Sequence, residues 1–224
     1  MLLSKVKLVS YASLAAGLLT ILCLLHPSAC KIATIRRLNE GGNGKLNGVQ
    51  TFNAAGYVDS IWNANLKPSL SQAVEISELL KELDTNAEGV KARYGHREGS
   101  RPYYVVIKGS GRITAVDTSS HMGTATVAIA SNKNERIAIQ IGPVLRGTAI
   151  RDALSFISAD RFANQIHFAE VANELNARVE RNVLAPIDRS SLKGRLIVFT
   201  GMVAIDGNQP LLITPVQLTM GEAR

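Results

Sequence analysis

Cysteine and aromatic residues are scarce in this chain of 224 residues. Its two cysteines, Cys23 and Cys30, lie in the first thirty residues, so the domain that follows has no thiol for a disulfide and must rely on its core. Aromatic residues make up 5% of the chain, and a surface for single-stranded nucleic acid needs several of them to stack on bases. The 25 basic and 18 acidic residues are scattered, with no polybasic arm. The sequence therefore predicts no nucleic-acid partner.

Patterns of catalysis and metal binding are also absent from the sequence. His96, His121 and His167 stand in no metal-ligand spacing with one another or with a cysteine. No G-x-S-x-G nucleophile motif occurs, and the Gly-Ser-Gly at 109–111 is too short for a phosphate-binding loop. The sequence thus predicts a protein that is not an enzyme and that holds neither a metal nor a cofactor.

The first thirty residues have the pattern of an export signal. Lys5 and Lys7 precede an apolar run over 8–25, and the small stretch "PSA" leads to Cys30. Lipoprotein signal peptidase needs small residues before a cysteine because its site accepts little volume there. We predict a signal peptide at 1–29 and lipidation of Cys30 with several acyl chains, palmitate among them, which together hold a protein stably on a membrane.

An uncleaved membrane anchor is the alternative to lipidation. The run over 8–25 lies at the lower edge of the length that spans a bilayer, and Pro27 stands where leucine is usual in a lipidation signal. Either anchor, lipid or single N-terminal span, places the domain on the periplasmic face of the bacterial cell envelope.

The residues after the leader divide into three parts. Residues 30–51 are rich in glycine and asparagine, which predicts a flexible tether between the lipid and the folded part. Over 52–98, apolar residues recur at helical spacing and predict an N-terminal helical segment. From 101 to 220 the sequence starts and ends with strand-like runs, which predicts a β-barrel with helices inserted in it.

Three strand-like runs open the barrel region and two close it. The runs "YYVVIKGSGRITAVDT", "GTATVAIA" and "ERIAIQIG" precede predicted helices at 149–157 and 161–183, and a hairpin follows Pro186. Gly109 and Gly111 mark places where the first strand could bend or bulge. The order is that of an OB-like five-stranded β-barrel, an α+β fold in which the long helix between strands three and four closes the open end of the barrel.

The densest group of candidate site residues lies in "IGPVLRGTAIRDALSF", where the third strand ends and a helix begins. Thr148 is expected to cap the short helix, and Asp152 lies where a negative charge suits the helix dipole. Arg146 and Arg151 have two interpretations. They either brace the turn by pairing with carboxylates and carbonyls, or they bind an anionic ligand beside exposed N–H groups.

Asn164, Gln165 and Asn176 fall within or beside the apolar arc of the predicted long helix. A buried amide without a partner costs on the order of 1–3 kcal/mol, so we expect these amides to be hydrogen-bonded. Their partner is either backbone at the end of the barrel or a small hydroxylated or anionic molecule. In the second case Asn164 and Gln165 line a polar pocket together with Arg146 and Arg151.

The most distinctive segments of the chain are "GPVLRGTAIRDA" and "FANQ". Together with "GRLIVFTGMV", "LLITPVQLT" and "KGSGRITAVDTSSHMG", they resemble a bacterial family of predicted periplasmic lipoproteins of unknown function. Because this family is often encoded beside sugar-type ABC transporters, the resemblance implies a non-enzymatic accessory role in solute uptake. Its partners would be transporter components or a small polar solute. A small-molecule hydrolase with a site at the barrel end is the alternative function.

Overall fold

The structure, a computed structural model, describes residues 51–129, 132–206 and 210–221, without the side chains of 132–136. The predicted signal peptide, Cys30 and the predicted tether up to residue 50 lie outside the described residues. The α-helices are α1 (Ala54–Ile61), α2 (Lys67–Ser71), α3 (Ile76–Tyr94), α4 (Ala149–Asp152) and α5 (Gln165–Val179). The strands are β1 (Val74–Glu75), β2 (Tyr104–Asp117), β3 (Thr124–Ile129), β4 (Asn132–Gln140), β5 (Leu196–Ala204) and β6 (Leu211–Met220).

Shorter turns extend or connect these elements. π-helical turns follow α1 and α5, and single 3-10 turns lie on either side of α5. The π-helical turns are Trp62–Leu66 and Glu180–Leu184, and the 3-10 turns are Ala159–Arg161 and Arg189–Ser191.

The strands form one six-stranded sheet in an α+β fold, as the alternation in the sequence predicts for the five long strands. Its order is β1-β2-β3-β4-β6-β5, and β2 also pairs with β5, so the pairings of the long strands close into a ring. β4 and β6 run parallel, as do β1 and β2, and the other pairs are antiparallel. The pairing of β2 with β3 has a register shift between Ile113 and Ala115, a few residues beyond the two glycines at which a bend or bulge was expected.

One hydrophobic core lies on the inner face of this sheet, and the helix that packs into it is α3. Ile76, Leu79 and Leu80 of α3 are buried there with Ile107 of β2 and Phe199 of β5. The expectation that the long helix between the third and fourth long strands closes this core is wrong, because none of the α5 residues belongs to it.

A second core lies between the helices and the outer face of the same strands. One buried cluster contains Phe168 and Leu175 of α5, Val58 of α1, Met202 of β5 and Val216 of β6. Successive side chains of a strand point to opposite faces of a sheet, so β5 and β6 supply residues to both cores. The apolar face of α5 is therefore buried against the outer side of the sheet, beside α1.

The helix predicted at 149–157 is too long. α4 ends at Asp152, whose backbone carbonyl lies 2.8 Å from Nδ1 of His96. In a longer α-helix this oxygen would accept the N–H four residues further on, so the bond to His96 takes the place of the next helical bond. The chain continues in tight turns, with the N–H of Leu154 donating to the carbonyl of Arg151 at 3.2 Å.

The helix predicted at 161–183 begins late. α5 starts at Gln165 because Asn164 is its N-cap, with extended backbone and an Oδ1 that accepts the N–H of His167 at 2.9 Å. At its other end α5 passes into the π-helical turn Glu180–Leu184, so helical backbone extends one residue beyond the predicted end.

The two glycines of β2 make room for the elements on the inner face. A methyl group on Gly109 would collide with Ile76 of α3. One on Gly111 would lie 2.5 Å from the carbonyl oxygen of Ala128 in β3 and 2.5 Å from Cγ1 of Val127. Glycine therefore permits close packing of β2 against both α3 and β3.

We predict that Gly111→Ala lowers the free energy of unfolding by about 1–3 kcal/mol, because the added methyl forces backbone apart where the core is already filled. Urea denaturation monitored by circular dichroism measures this change. Ser110→Ala is the matched control, since Ser110 is exposed on the opposite face of the same strand. Equal stability of the two variants would contradict the packing described for Gly111.

Candidate functional site

A cleft of about 340 Å³ lies where the ends of β2, β4, β5 and β6 meet the segment that leads into α4. We call it the β4–β6 cleft. Its walls include apolar side chains from Ala149, Ala204, Leu211 and Leu212. Its polar residues are Tyr104, Gln140, Arg146, Thr148, Asp206 and Thr214.

The floor of the β4–β6 cleft is a buried polar pair. Gln140 is 3% exposed and Thr214 is 2% exposed, and Nε2 of Gln140 donates to Oγ1 of Thr214 at 3.0 Å. Oε1 of Gln140 accepts the backbone N–H of Arg146 at a longer 3.4 Å. The floor is thus fixed in position by its own hydrogen bonds, and the same amide holds the backbone of the loop above it.

Arg146 lies on the rim of the cleft, with an exposed side chain. No side chain in the described part of the protein pairs with its guanidinium. The next residue, Gly147, has a φ of 90°, a left-handed conformation that glycine adopts without strain. The carbonyl of Gly147 accepts from Nδ2 of Asn176 at 2.9 Å, so α5 holds the turn that carries Arg146.

Tyr104 contributes a phenol to the wall of the cleft. Burial raises the pKa of Tyr104, and the nearby negative charge of Asp152 raises it further. A hydrogen bond with the side chain of Thr148 and the charge of Arg101 act against this rise in pKa, so the phenol stays protonated and already has a partner in Thr148.

Arg151 and Asp152 form a buried ion pair outside the β4–β6 cleft. Arg151 is 1% exposed and Asp152 is fully buried, and Nε of Arg151 donates to Oδ1 of Asp152 at 2.8 Å. Nη1 of Arg151 donates to the carbonyl of Phe168 at 2.9 Å, and the guanidinium lies 3.6 Å from the centre of the Phe168 ring. Burial lowers the pKa of Arg151, and the hydrogen bond and negative charge of Asp152 oppose that effect. These contacts brace α4 against α5.

Asp152 also organises the residues around it. Its Oδ2 accepts from Oγ1 of Thr148 at 2.6 Å and from Nη1 of Arg101 at 3.0 Å. Thr148 is the N-cap residue of α4, as expected, but its hydroxyl bonds to this carboxylate and not to a helix N–H. The side chain of Thr148 thus connects the ion pair to the wall of the cleft.

The three amides of the predicted arc lie in different environments. Asn176 is 7% exposed, and its partner is loop backbone, the carbonyl of Gly147. Asn164 and Gln165 are exposed at the start of α5. Neither lines the β4–β6 cleft, so the structure does not assemble the pocket that combined them with Arg146 and Arg151.

Gln140, Thr214, Tyr104 and Asp206 were not among the sequence candidates. The sequence does indicate Gln140, because this polar residue interrupts the apolar run "IAIQIG". The run ends a strand whose described side chains are all buried. A polar residue in such a run needs a partner. The sequence does not indicate that the partner is Thr214, which lies 74 positions further along the chain.

The described residues contain no group of three or more histidine, cysteine, aspartate or glutamate side chains that could hold a metal ion. In the same part of the chain, no helix has the length and apolar character needed to cross a membrane.

Comparison with known protein families shows the family to which the chain belongs. The profile described as "Predicted periplasmic lipoprotein (DUF2291)" matches residues 20–219. The chain belongs to this family. The family identifies the protein as a predicted periplasmic lipoprotein of unknown function, in agreement with the resemblance and the location predicted from the sequence. A search of curated proteins finds no match.

A solved structure supports the fold of this lipoprotein. The crystal structure of an OB-fold protein (TM0957) from Thermotoga maritima matches with a TM-score of 0.60 and 21% sequence identity. The match covers 77% of the lipoprotein and 100% of the Thermotoga chain. At this identity the likeness shows the fold, and the fold alone.

We predict that Asn176→Ala lowers the free energy of unfolding by about 0.5–1.5 kcal/mol, because the hydrogen bond from Asn176 to the carbonyl of Gly147 is lost. Thermal or urea denaturation measures the loss. Gln165→Ala is the matched control on the same helix, and because Gln165 is exposed we expect a change within about 0.5 kcal/mol. A larger effect of Gln165→Ala than of Asn176→Ala would contradict these assignments.

Proposed function

We propose that this lipoprotein is a non-enzymatic accessory module of solute uptake. It is anchored in the cell envelope by lipid on Cys30 and binds a small polar solute in the β4–β6 cleft. A sugar-type ABC transporter is the uptake system that the family resemblance favours as its partner.

The observation that carries this proposal is the construction of the cleft. Small-molecule sites are concave, largely apolar and fitted with a few convergent polar groups. The β4–β6 cleft has apolar walls, a buried floor formed by Gln140 and Thr214, and the exposed guanidinium of Arg146 at its rim. Its polar groups lie on strand ends and on a braced loop, which hold them in place without a ligand.

The ring of strand pairings provides the rigid wall of this site. We interpret the ring as the five-stranded OB-type barrel expected from the order of strands and helices. β4 and β6 are adjacent and parallel in it, with Ile137 opposite Leu211 and Ile139 opposite Ile213. The pairing fixes the start of β6 beside the end of β4, where the floor residues lie. The alternative function, a small-molecule hydrolase at the barrel end, stays a prediction.

Site-specific photo-crosslinking in the native host tests the proposed partner. A photoreactive amino acid at Leu212, a partly exposed residue on the rim of the β4–β6 cleft, is expected to capture a component of an ABC transporter, identified by mass spectrometry. The control is the same amino acid at Val198, which is exposed on β5 and does not line the cleft. Mass spectrometry of the same samples shows whether Cys30 carries lipid. Recovery of lipidated protein without any transporter component at Leu212 would contradict the proposal.

A further inference from the structure

The β4–β6 cleft presents more hydrogen-bond donors than acceptors on its floor. Oγ1 of Thr214 accepts from Gln140, and no acceptor for the hydroxyl proton of Thr214 is found within the described residues. Gln140 uses one of the two N–H groups of its amide in that bond, and the other is left to donate. Both groups are almost completely buried and line the cleft, so an oxygen acceptor that enters the cleft can accept these spare protons.

The rim adds donors of the same kind. The guanidinium of Arg146 has five N–H donors and no acceptor. Asp206 also lines the cleft, but its carboxylate already has another interaction. A ligand that fits the donors of this cleft brings several oxygen acceptors.

The charge of Arg146 selects among such ligands. Its guanidinium has no carboxylate partner in the described part of the protein, although it stands beside a partly enclosed cleft. A guanidinium binds a carboxylate through two parallel hydrogen bonds, a geometry that a neutral hydroxyl cannot match. A cleft of about 340 Å³ is at the small end of ligand sites and suits one sugar-sized molecule.

We infer that the β4–β6 cleft binds a monomeric sugar acid, a polyhydroxylated carboxylic acid of the uronate or aldonate class. Its carboxylate pairs with Arg146, and its hydroxyl oxygens accept from Gln140 and Thr214. The apolar side chains of Leu211 and Ala204 face the carbon skeleton. This inference rests on the proposed role of the cleft as a solute site and adds the class of solute.

Isothermal titration calorimetry of the full mature lipoprotein in detergent micelles tests the inference. The ligands are D-galacturonate and D-galactose, which differ only in the oxidation of one carbon, together with D-gluconate and D-glucose 6-phosphate. We expect at least one of the two acids to bind ten-fold or more tightly than galactose, and its affinity to fall as sodium chloride is raised, because an exposed ion pair is screened by salt.

Two variants test whether the ligand binds in the β4–β6 cleft, and a third is the control. Arg146→Gln is expected to reduce affinity for the acid ten-fold or more and to remove its advantage over galactose. Thr214→Val, which replaces the hydroxyl by a methyl of similar size, is expected to weaken binding of the acid as well, with thermal unfolding used to show that the variant is folded. Arg181→Gln is the matched control, because Arg181 is an exposed arginine on the π-helical turn after α5, outside the cleft, and affinity should not change.

The outcomes test the class of ligand and the role of the cleft as a solute site separately. Equal affinity for galacturonate and galactose that Thr214→Val abolishes would overturn the sugar-acid class and leave the cleft as a site for neutral solutes. Tighter binding of glucose 6-phosphate than of either acid would overturn the class in favour of phosphates. Binding that neither Arg146→Gln nor Thr214→Val changes would overturn the location. No heat of binding from any of the four ligands would overturn both the inference and the solute role of the cleft.

Discussion

The structure depends on one buried carboxylate, that of Asp152. It lies at the end of a four-residue helix and binds groups from three parts of the chain. Arg151 comes from the same helix, Arg101 comes from the segment before β2, and Thr148 comes from the loop above the β4–β6 cleft. Arg151 extends the contact to the backbone and the ring of Phe168 in α5. A charge taken out of water is tolerated only when it is paired and hydrogen-bonded, so these groups must assemble together.

The contacts of Asp152 explain how an irregular loop can form one wall of a defined cleft. The hydroxyl of Thr148 donates to Asp152, and the carbonyl of Gly147 accepts from the amide of Asn176. Arg146 precedes these two fixed residues, and its own backbone N–H points to Gln140 on the floor of the cleft. The loop therefore places a charged side chain beside a buried polar pair, and the position of Arg146 depends on helices α4 and α5 being docked correctly.

Sequence patterns predicted the strands well because alternation reports directly which face of a strand is buried. They were less successful where a partner is distant in sequence. α4 ends at Asp152 because of His96, which is 56 residues away, and no local pattern contains that bond. The polar residues of the cleft were missed for the same reason, since Gln140 and Thr214 meet only when β4 and β6 pair.

The helices show a second limit of sequence patterns. The spacing of apolar residues predicts which face of a helix is buried. The elements that pack against the helix decide which part of that face is covered. Ile166 belongs to the apolar arc of α5 and is nevertheless 69% exposed. The same arc gave no sign that α5 packs outside the sheet and that α3 fills its inner face.

The central role of Asp152 is tested most directly by Asp152→Asn, followed by urea denaturation and by hydrogen exchange of the loop at 142–148. The account predicts a loss of about 3–5 kcal/mol in the free energy of unfolding, because the buried guanidinium of Arg151 loses its counter-charge. It also predicts faster exchange in the loop and in the first turn of α5. A variant with wild-type stability and unchanged exchange in both segments would contradict the account.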